Sequence, residues 1–169
     1  MSLLSLLVSL FGGRPRPKPA PKPKPKPAPA TAAEHIDVIN HVRTGHGLMP
    51  VTAEGRAEAA AKIQTDWQAF RDRIGHDGPS EGLRNLHDRL DYYGLKEYGG
   101  SGEIAAQGEI ARWADGAVAI PYDFAVACND WLKSPGHKAI LLNPTWVYAG
   151  AAMATAESGR IYCTAVFWR

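Results

Sequence analysis

Two histidines lie in turns that contain glycine: His76 in the stretch 75–78, Gly-His-Asp-Gly, and His137 directly after Pro135 and Gly136. Neutral imidazoles are good ligands for Zn²⁺, and a site with few protein ligands leaves room for a water whose pKa falls to about 7. A simpler interpretation stays open, because His137 could cap the helix that Pro135 ends and His76 could be a solvated loop residue. The residue types alone do not decide between these roles.

Nucleophilic catalysis is a second kind of chemistry to consider. Ser134 lies three residues before His137, and Cys128 lies one to two turns earlier on the same predicted helix. Neither has the glycine context of a nucleophile elbow, and no aspartate is evidently placed to orient the histidine. The pattern therefore disfavours a serine or cysteine hydrolase. The other histidines fall on predicted polar helix faces or ends and are expected at the surface: His35, His41, His46 and His87.

Cysteine usage and charge limit the class of protein. Cys128 and Cys163 are the only cysteines, too few for a disulfide-dense scaffold, and either one bridge or two buried thiols is consistent with their positions. The first thirty residues carry six basic side chains and no acidic one, so the remainder has 13 basic against 17 acidic residues, a net charge of −4. A domain of that sign is a poor candidate for binding the phosphate backbone, and no nucleic-acid partner is expected.

The first thirty residues differ from the rest in composition. Residues 3–11 form an apolar run of nine, far below the ~20 that span a bilayer, so residues 1–13 are interpreted as a signal, an anchor or a docking tail. Every second residue from 15 to 29 is proline, alternating with lysine, arginine and alanine. This favours polyproline II and predicts a semi-rigid linker of about 50 Å over residues 14–30. Residues 31–169 have the length of one domain.

Hydrophobic periodicity predicts four helices in that domain. Thr31 and Glu34 form a capping-box pattern for the first. Apolar residues at steps of three and four mark a long amphipathic second helix. Ser80 can cap the third, and the fourth starts near Pro121 and ends before Pro135. The apolar positions of the last three helices are Ala60, Ile63, Trp67, Phe70 and Ile74, then Leu83, Leu86, Leu90 and Tyr93, then Phe124, Cys128 and Trp131.

The strands are expected mainly at the C-terminus. Residues 146–154 and 160–168 are rich in β-forming residues and flank the sequence Ala-Glu-Ser-Gly at 156–159, which predicts a hairpin. The glycine-rich stretch 99–108 and residues 109–120 have no clear assignment. Helices followed by paired strands predict an α+β sandwich with a small antiparallel sheet.

Several segments resemble, in order, the CAP domain, also called the SCP domain, of cysteine-rich secretory and pathogenesis-related proteins. The strongest is Trp-Leu-Lys-Ser-Pro-Gly-His at 131–137, similar to the family's Trp-x-x-Ser-x-Gly-His segment. Gly-Glu-Ile-Ala at 102–105 is similar to the family's Gly-Glu-Asn-Ile-Ala but lacks the asparagine. The matches cover nearly all of residues 34–168, and bacterial-type members look most similar. The resemblance implies a CAP-like α-β-α sandwich carried on the proline-rich stalk.

The resemblance also implies a site. In the family, the positions of His76, Glu103 and His137 converge in a central cleft, where the two histidines can share Zn²⁺. Glu103 would then be a third ligand or the base that receives a proton from the metal-bound water. Some members have a second glutamate where this chain has Ser134, so the four-residue site is incomplete here.

Three hypotheses for function follow. The first is a recognition module, secreted or on a cell envelope, whose metal-capable cleft binds a lipid, glycan or peptide ligand. The second is a Zn²⁺-dependent hydrolase of an envelope polymer or peptide, with Glu103 as the base. The third is an attachment protein of a larger assembly, in which residues 1–13 dock on a membrane or a partner protein and the stalk projects the domain.

Overall fold

The computed structural model describes residues 31–95, 99–109, 111–112, 114, 116, 118–120 and 122–169. The predicted N-terminal segment and linker, residues 1–30, lie outside the described residues. The helices are α1 (Ala32–Gly45), α2 (Gly55–Arg71), α3 (Leu86–Tyr92), α4 (Phe124–Lys133) and α5 (Pro135–Leu141). The strands are β1 (Thr52–Ala53), β2 (Ser101–Glu109), β3 (Ala111–Arg112), β4 (Val118–Ile120), β5 (Tyr148–Thr155) and β6 (Arg160–Trp168). None of the helices in these ranges is long and apolar enough to cross a membrane.

A four-stranded sheet in the order β1-β5-β6-β2 forms the middle layer. β5 and β6 form the predicted hairpin, and β2 pairs antiparallel with the other edge of β6. The sheet is mixed rather than purely antiparallel, because β1 runs parallel to β5 through its two residues. β3 and β4 form a separate two-stranded ribbon.

Alternate side chains of β6 enter two different cores, as the period of two in a strand requires. Ile161, Cys163, Ala165 and Phe167 pack with residues of α1, α4 and α5, whereas Val166 packs with α2 and α3. The sheet is therefore covered by helices on both faces. This confirms the predicted α+β sandwich with three layers.

The second helix exists as predicted, but the face expected to enter the core is the wrong one. Phe70 is 81% exposed and Ile74 38% exposed, while the buried face consists of small and polar residues. These buried residues are Ala57, Ala60, Ala61, Gln64, Thr65 and Gln68. Of the predicted apolar positions, Ala60 alone is fully buried, at 0% exposure.

The reason for this reversal is the close approach of α2 to β5. A Cβ atom on Gly150 would lie 1.9 Å from the backbone nitrogen of Glu58, so the helix backbone rests directly on the strand at this glycine. At this end of the helix the buried side chains are the alanines Ala57, Ala60 and Ala61, since larger ones do not fit at such a separation, and Phe70 lies on the opposite, solvent side. Periodicity identified the helix but could not identify which face meets a sheet rich in alanine and glycine.

One further expectation needs correction, that for Ser80, and the structure adds detail at two other places. Ser80 makes no side-chain cap; it precedes a 3₁₀ turn at Glu81–Leu83, and the capping box of α3 is formed by Asn85 and Asp88. The unassigned glycine-rich stretch contains β2, whose small residues leave little β-propensity to detect. Pro135 does not only follow the end of α4, since it is also the first residue of α5.

His35 was expected at the surface and is instead buried, with 5% exposure. Its ring stacks on Phe124 with centroids 4.5 Å apart. Burial lowers the pKa of His35 below its ordinary value. The helix face that carries it was judged polar because histidine was counted as a polar residue, whereas an imidazole has enough apolar surface to pack on an aromatic ring.

Candidate functional site

Glu103 on β2 is the centre of a buried polar cluster. Its side chain is 4% exposed, and both carboxylate oxygens have partners. Arg89 Nη2 of α3 donates to Oε2 at 2.5 Å, and His76 Nδ1 lies 2.8 Å from Oε1. The structure therefore brings together two of the three predicted site residues, His76 and Glu103. It adds Arg89, which links α3 to Glu103 on the sheet.

Arg89 has no exposed side-chain surface and joins the cluster to the loop that precedes α3. Its Nη1 donates to the carbonyl oxygens of Leu83 and Arg84, at 3.2 Å each, and to that of His76 at 3.5 Å. A single guanidinium thus fixes both Glu103 and the backbone that carries His76. Arginine suits this position because its planar fork supplies several donors in fixed directions.

The loop from α2 to α3 is closed tightly under His76. Gly78 donates its backbone N–H to the carbonyl of Arg84 at 2.6 Å, and a Cβ on Gly78 would lie 1.9 Å from the carbonyl oxygen of Leu83. From below, the amides of Gln64 and Gln68 each donate to the carbonyl of Gly75 at 2.7 Å. The position of His76 is therefore set by its loop as well as by Glu103.

His76 presents its ring at the surface of this cluster. The side chain is 56% exposed, although Nδ1 is engaged with Glu103. The hydrogen bond to Glu103 raises the pKa of His76 above its ordinary value, against a smaller opposite effect of burial. The imidazole is thus held in one orientation and remains accessible, which a ligand-binding group requires.

His137 lies in the first turn of α5, two residues after Pro135. Its surroundings lower its pKa, first through desolvation and then through the positive charge of His76. The two imidazoles are therefore close enough for their charges to interact. No hydrogen bond joins His137 to Glu103 among the contacts of the described residues.

The described residues do not offer a metal site with three protein ligands. Within the described ranges, no group of three or more histidine, cysteine, aspartate or glutamate side chains is arranged to hold a metal ion. His76 and His137 could offer ring nitrogens to Zn²⁺, whereas both oxygens of Glu103 are taken by Arg89 and His76. Glu103 contacts Nδ1 of His76, an arrangement that can fix the orientation of the ring.

The nucleophile candidates lack the surroundings that catalysis needs. Cys128 and Cys163 are both free thiols, and both are buried. Burial raises the pKa of Cys128 to about 12 and raises that of Cys163 as well, so neither thiol ionises at neutral pH. Ser134 joins the ends of α4 and α5 and makes no side-chain cap hydrogen bond.

Sequence reasoning missed the role of Arg89. Nothing in the local sequence distinguishes a buried arginine from a solvated one on a short helix. The one signal in the sequence was the position of Arg89 next to Leu90, which was predicted to face the core. In the structure both side chains are fully buried. Its partner Glu103 is fourteen residues away on β2, a contact that only the tertiary fold creates.

We expect the two imidazoles to titrate on opposite sides of the ordinary histidine pKa of 6.5, His76 above and His137 below. Because the folded-state pKa of His76 is raised, its pair with Glu103 stabilises the fold below about pH 6.5 and loses this effect as pH rises through the raised value. NMR titration of the ring protons measures both pKa values. Glu103→Gln should return the pKa of His76 toward 6.5, and an unchanged value would contradict the assigned hydrogen bond.

The comparisons with known proteins agree with this architecture. An outer surface protein from Borrelia burgdorferi has a similar structure, with a TM-score of 0.63 and 18% identity over 80% of this chain and 92% of that one. An extracellular protein containing a SCP domain from Bacillus anthracis gives 0.61 and 22%, over 82% of this chain and 40% of that one. A cysteine-rich secretory protein from Staphylococcus aureus gives 0.56 and 17%, over 85% and 41%.

The chain therefore spans about two fifths of the second and third of these proteins. At such identities the structural likeness establishes the fold alone. A search among curated proteins gives no significant match. The family model named CAP, the cysteine-rich secretory protein family, matches residues 36–167, which include every element from within α1 to β6. The chain belongs to the CAP family of cysteine-rich secretory proteins.

Proposed function

We propose that the chain is a recognition module that works outside the cytoplasm and binds a lipid, glycan or peptide ligand at the cleft around His76 and His137. The observation that carries the proposal is the state of Glu103, which is buried and engaged at both oxygens by Arg89 and His76. A carboxylate so occupied orients the half-exposed imidazole of His76 for contact with a ligand. Because Glu103 is 4% exposed and each of its oxygens already accepts a hydrogen bond, it is poorly placed to accept a proton from water.

The proposed location follows from the family and its structural relatives. The similar proteins from Borrelia burgdorferi and Bacillus anthracis are described as outer surface and extracellular, respectively. The net charge of −4 over residues 31–169 also suits binding to uncharged or weakly charged ligands better than to nucleic acid. We propose secretion or attachment to an envelope, with residues 1–13 as the docking segment.

The second candidate function is a Zn²⁺-dependent hydrolase. The observation that favours it is that the positive charge of His76 lowers the pKa of His137, so the two imidazoles interact. When bound, the metal would supply a Lewis acid and lower the pKa of a bound water. The two imidazoles would hold it, and Glu103 would fix the orientation of His76. Catalytic zinc sites commonly have three protein ligands, and the described residues offer two.

Calorimetric titration of Zn²⁺ into the full chain separates the two functions. With two ligands and no third donor, we expect affinity no tighter than submillimolar, unchanged in His41→Ala, where an exposed histidine of α1 is removed. Micromolar binding at one site, lost in both His76→Ala and His137→Ala, would instead support the hydrolase.

The recognition proposal has its own readout, which does not depend on metal. A glycan and lipid array probed with the wild-type chain should show ligands whose binding falls in His76→Ala and His137→Ala but stays in His41→Ala. Equal binding by all four proteins would place recognition elsewhere on the domain and contradict the proposal. Because the three histidines differ in location but not in type, the comparison isolates the cleft.

A further inference from the structure

His35 is a buried titratable side chain in the first turn of α1, away from the cleft. It is 5% exposed, and its ring stacks on Phe124 of α4 with centroids 4.5 Å apart. Neither ring nitrogen makes a hydrogen bond to another of the described residues. Burial penalises the charged form of an imidazole, so the packed ring is stable only while it is neutral.

The groups around His35 compensate only weakly for a bound proton. The acidic residues at the starts of the surrounding helices are Glu34, Asp37, Glu54, Glu58 and Asp123. Of these, Glu34 raises the pKa of His35, and the backbone of Ala151 on β5 does so as well, but burial has the larger effect and lowers it. Asp123 and Glu54 each accept two backbone hydrogen bonds at the start of their own helix. β5 itself carries no charged residue.

The start of α1 is attached to the domain through two buried side chains. Among residues 31–38, only His35 and Ile36 are buried, whereas Ala33 and Glu34 are exposed. Beside this turn lies a depression of about 130 Å³, lined by residues of α1, α2, β1 and β5. The beginning of the helix is therefore incompletely packed, and it loses one of its two buried anchors if the ring of His35 leaves its place.

The remainder of α1 is held by hydrogen bonds that do not depend on a histidine. The side-chain amide of Asn40 donates to the carbonyl of Val51 at 2.9 Å and accepts from its N–H at 2.8 Å. Arg43 Nη1 donates to the carbonyls of Leu141 and Asn143, at 2.7 and 3.1 Å. Neither an amide nor a guanidinium titrates near neutral pH, so this part of the helix stays in place when a histidine changes charge.

The lowered pKa of His35 determines how the stability of this turn changes with pH. Its folded-state value lies below the ordinary 6.5, so the packed turn is fully stable above about pH 6.5 and loses stability as pH falls from there toward the lowered value. Each pH unit in that interval favours the open turn by up to about tenfold. The pair of His76 and Glu103 has the opposite dependence, so the effect of His35 must be measured locally.

We propose that His35 is an acid-sensitive latch at the point where the chain enters the domain. When its ring takes up a proton, residues 31–38 leave α4 and β5, and the rest of α1 stays in place. Thr31 directly follows the predicted linker, so acidic surroundings loosen the junction between that linker and the domain. This inference does not depend on the ligand proposed for the cleft around His76 and His137.

Hydrogen exchange of backbone amides in the full chain, at about pH 7.5 and about pH 5, tests the latch. Protection factors correct for the intrinsic pH dependence of exchange and report the opening equilibrium. With an ordinary pKa of 6.5 in the open turn, the amides of residues 36–38 should lose protection several-fold, and at most about 30-fold, at the lower pH. The amides of residues 40–43 should keep theirs. Unchanged protection at 36–38 overturns the proposal, and so does an equal loss at 40–43, which would mean that the whole helix opens.

Two variants and one titration complete the test. His35→Phe keeps a ring on Phe124 but cannot take up a proton, so the loss of protection at the lower pH should disappear. His41→Phe makes the same change at an exposed position of α1 and should leave the loss as it is in the unmodified chain. A loss that persists in His35→Phe overturns the proposal. If that variant does not fold, NMR titration of the His35 ring in the unmodified chain decides: a pKa below 6.5 supports the latch, and a value of 6.5 or above overturns it.

Discussion

Replacing Arg89 with methionine is expected to lower the free energy of unfolding by about 3–5 kcal/mol, because the change leaves a carboxylate buried without its cation. Glu103 is 4% exposed, and its remaining partner, His76, is half-exposed. The same change removes three hydrogen bonds from Arg89 Nη1 to the loop that carries His76. Urea unfolding monitored by tryptophan fluorescence measures the loss.

A double variant separates the charge from the packing. In Arg89→Met with Glu103→Gln no charge stays buried, so a large part of the lost stability should return. Arg84→Met removes an exposed arginine five residues earlier and should change the free energy of unfolding by less than about 0.5 kcal/mol. If Arg89→Met were as mild as Arg84→Met, the cluster would contribute little to the fold, and its assignment as the support of His76 would fail.

Local signals identified the elements whose ends and faces are determined by nearby residues. The capping box of Thr31 and Glu34 and the hairpin between β5 and β6 are confirmed. The buried face of α4, with Phe124, Cys128 and Trp131, is also confirmed. In each case the residues that form the cap, the hairpin or the buried face lie close together in the sequence. The pattern can therefore be recognised without knowledge of any distant contact.

Where a distant contact decides the outcome, the sequence was insufficient. The inward face of α2 depends on Gly150 in β5, which brings the strand against the helix backbone at Ala57 and Glu58. The strand β2 is rich in small residues and pairs along the whole of β6. Neither fact is visible in the helix or the strand considered alone, because each depends on a partner element that is distant in the chain.

The site was predictable to a similar degree. The family resemblance indicated His76, Glu103 and His137, and the structure places the first two in direct contact. The resemblance could not show that both carboxylate oxygens of Glu103 have hydrogen-bond partners. The second partner, Arg89, lies on α3 and belongs to no motif that the sequence analysis used. The roles of Glu103 as a third metal ligand or as a base stay predictions, and its contacts with Arg89 and His76 add our proposal that it orients His76.

Replacing Trp131 with alanine is the second change expected to have a large effect, about 3–5 kcal/mol in the free energy of unfolding. Trp131 is 1% exposed and meets Phe124 edge to face, with ring centroids 5.5 Å apart. It belongs to the larger core, where α1, α4 and α5 cover one face of the sheet. The close packing of interiors means that neighbouring residues cannot fill the cavity without moving helices. Calorimetric and urea unfolding both measure the loss.

Phe70→Ala is the matched control, since it also deletes an aromatic ring but at a position with 81% exposure, and it should cost less than about 0.5 kcal/mol. The contrast tests the inside-out orientation of α2 as well as the role of Trp131. Equal losses would mean that the ring of Phe70 contributes to the core and that α2 is wrongly oriented. A large loss in Trp131→Ala alone should also move the pKa of His137 toward 6.5, because α5 begins two residues after α4 ends and a loosened α4 would rehydrate that imidazole.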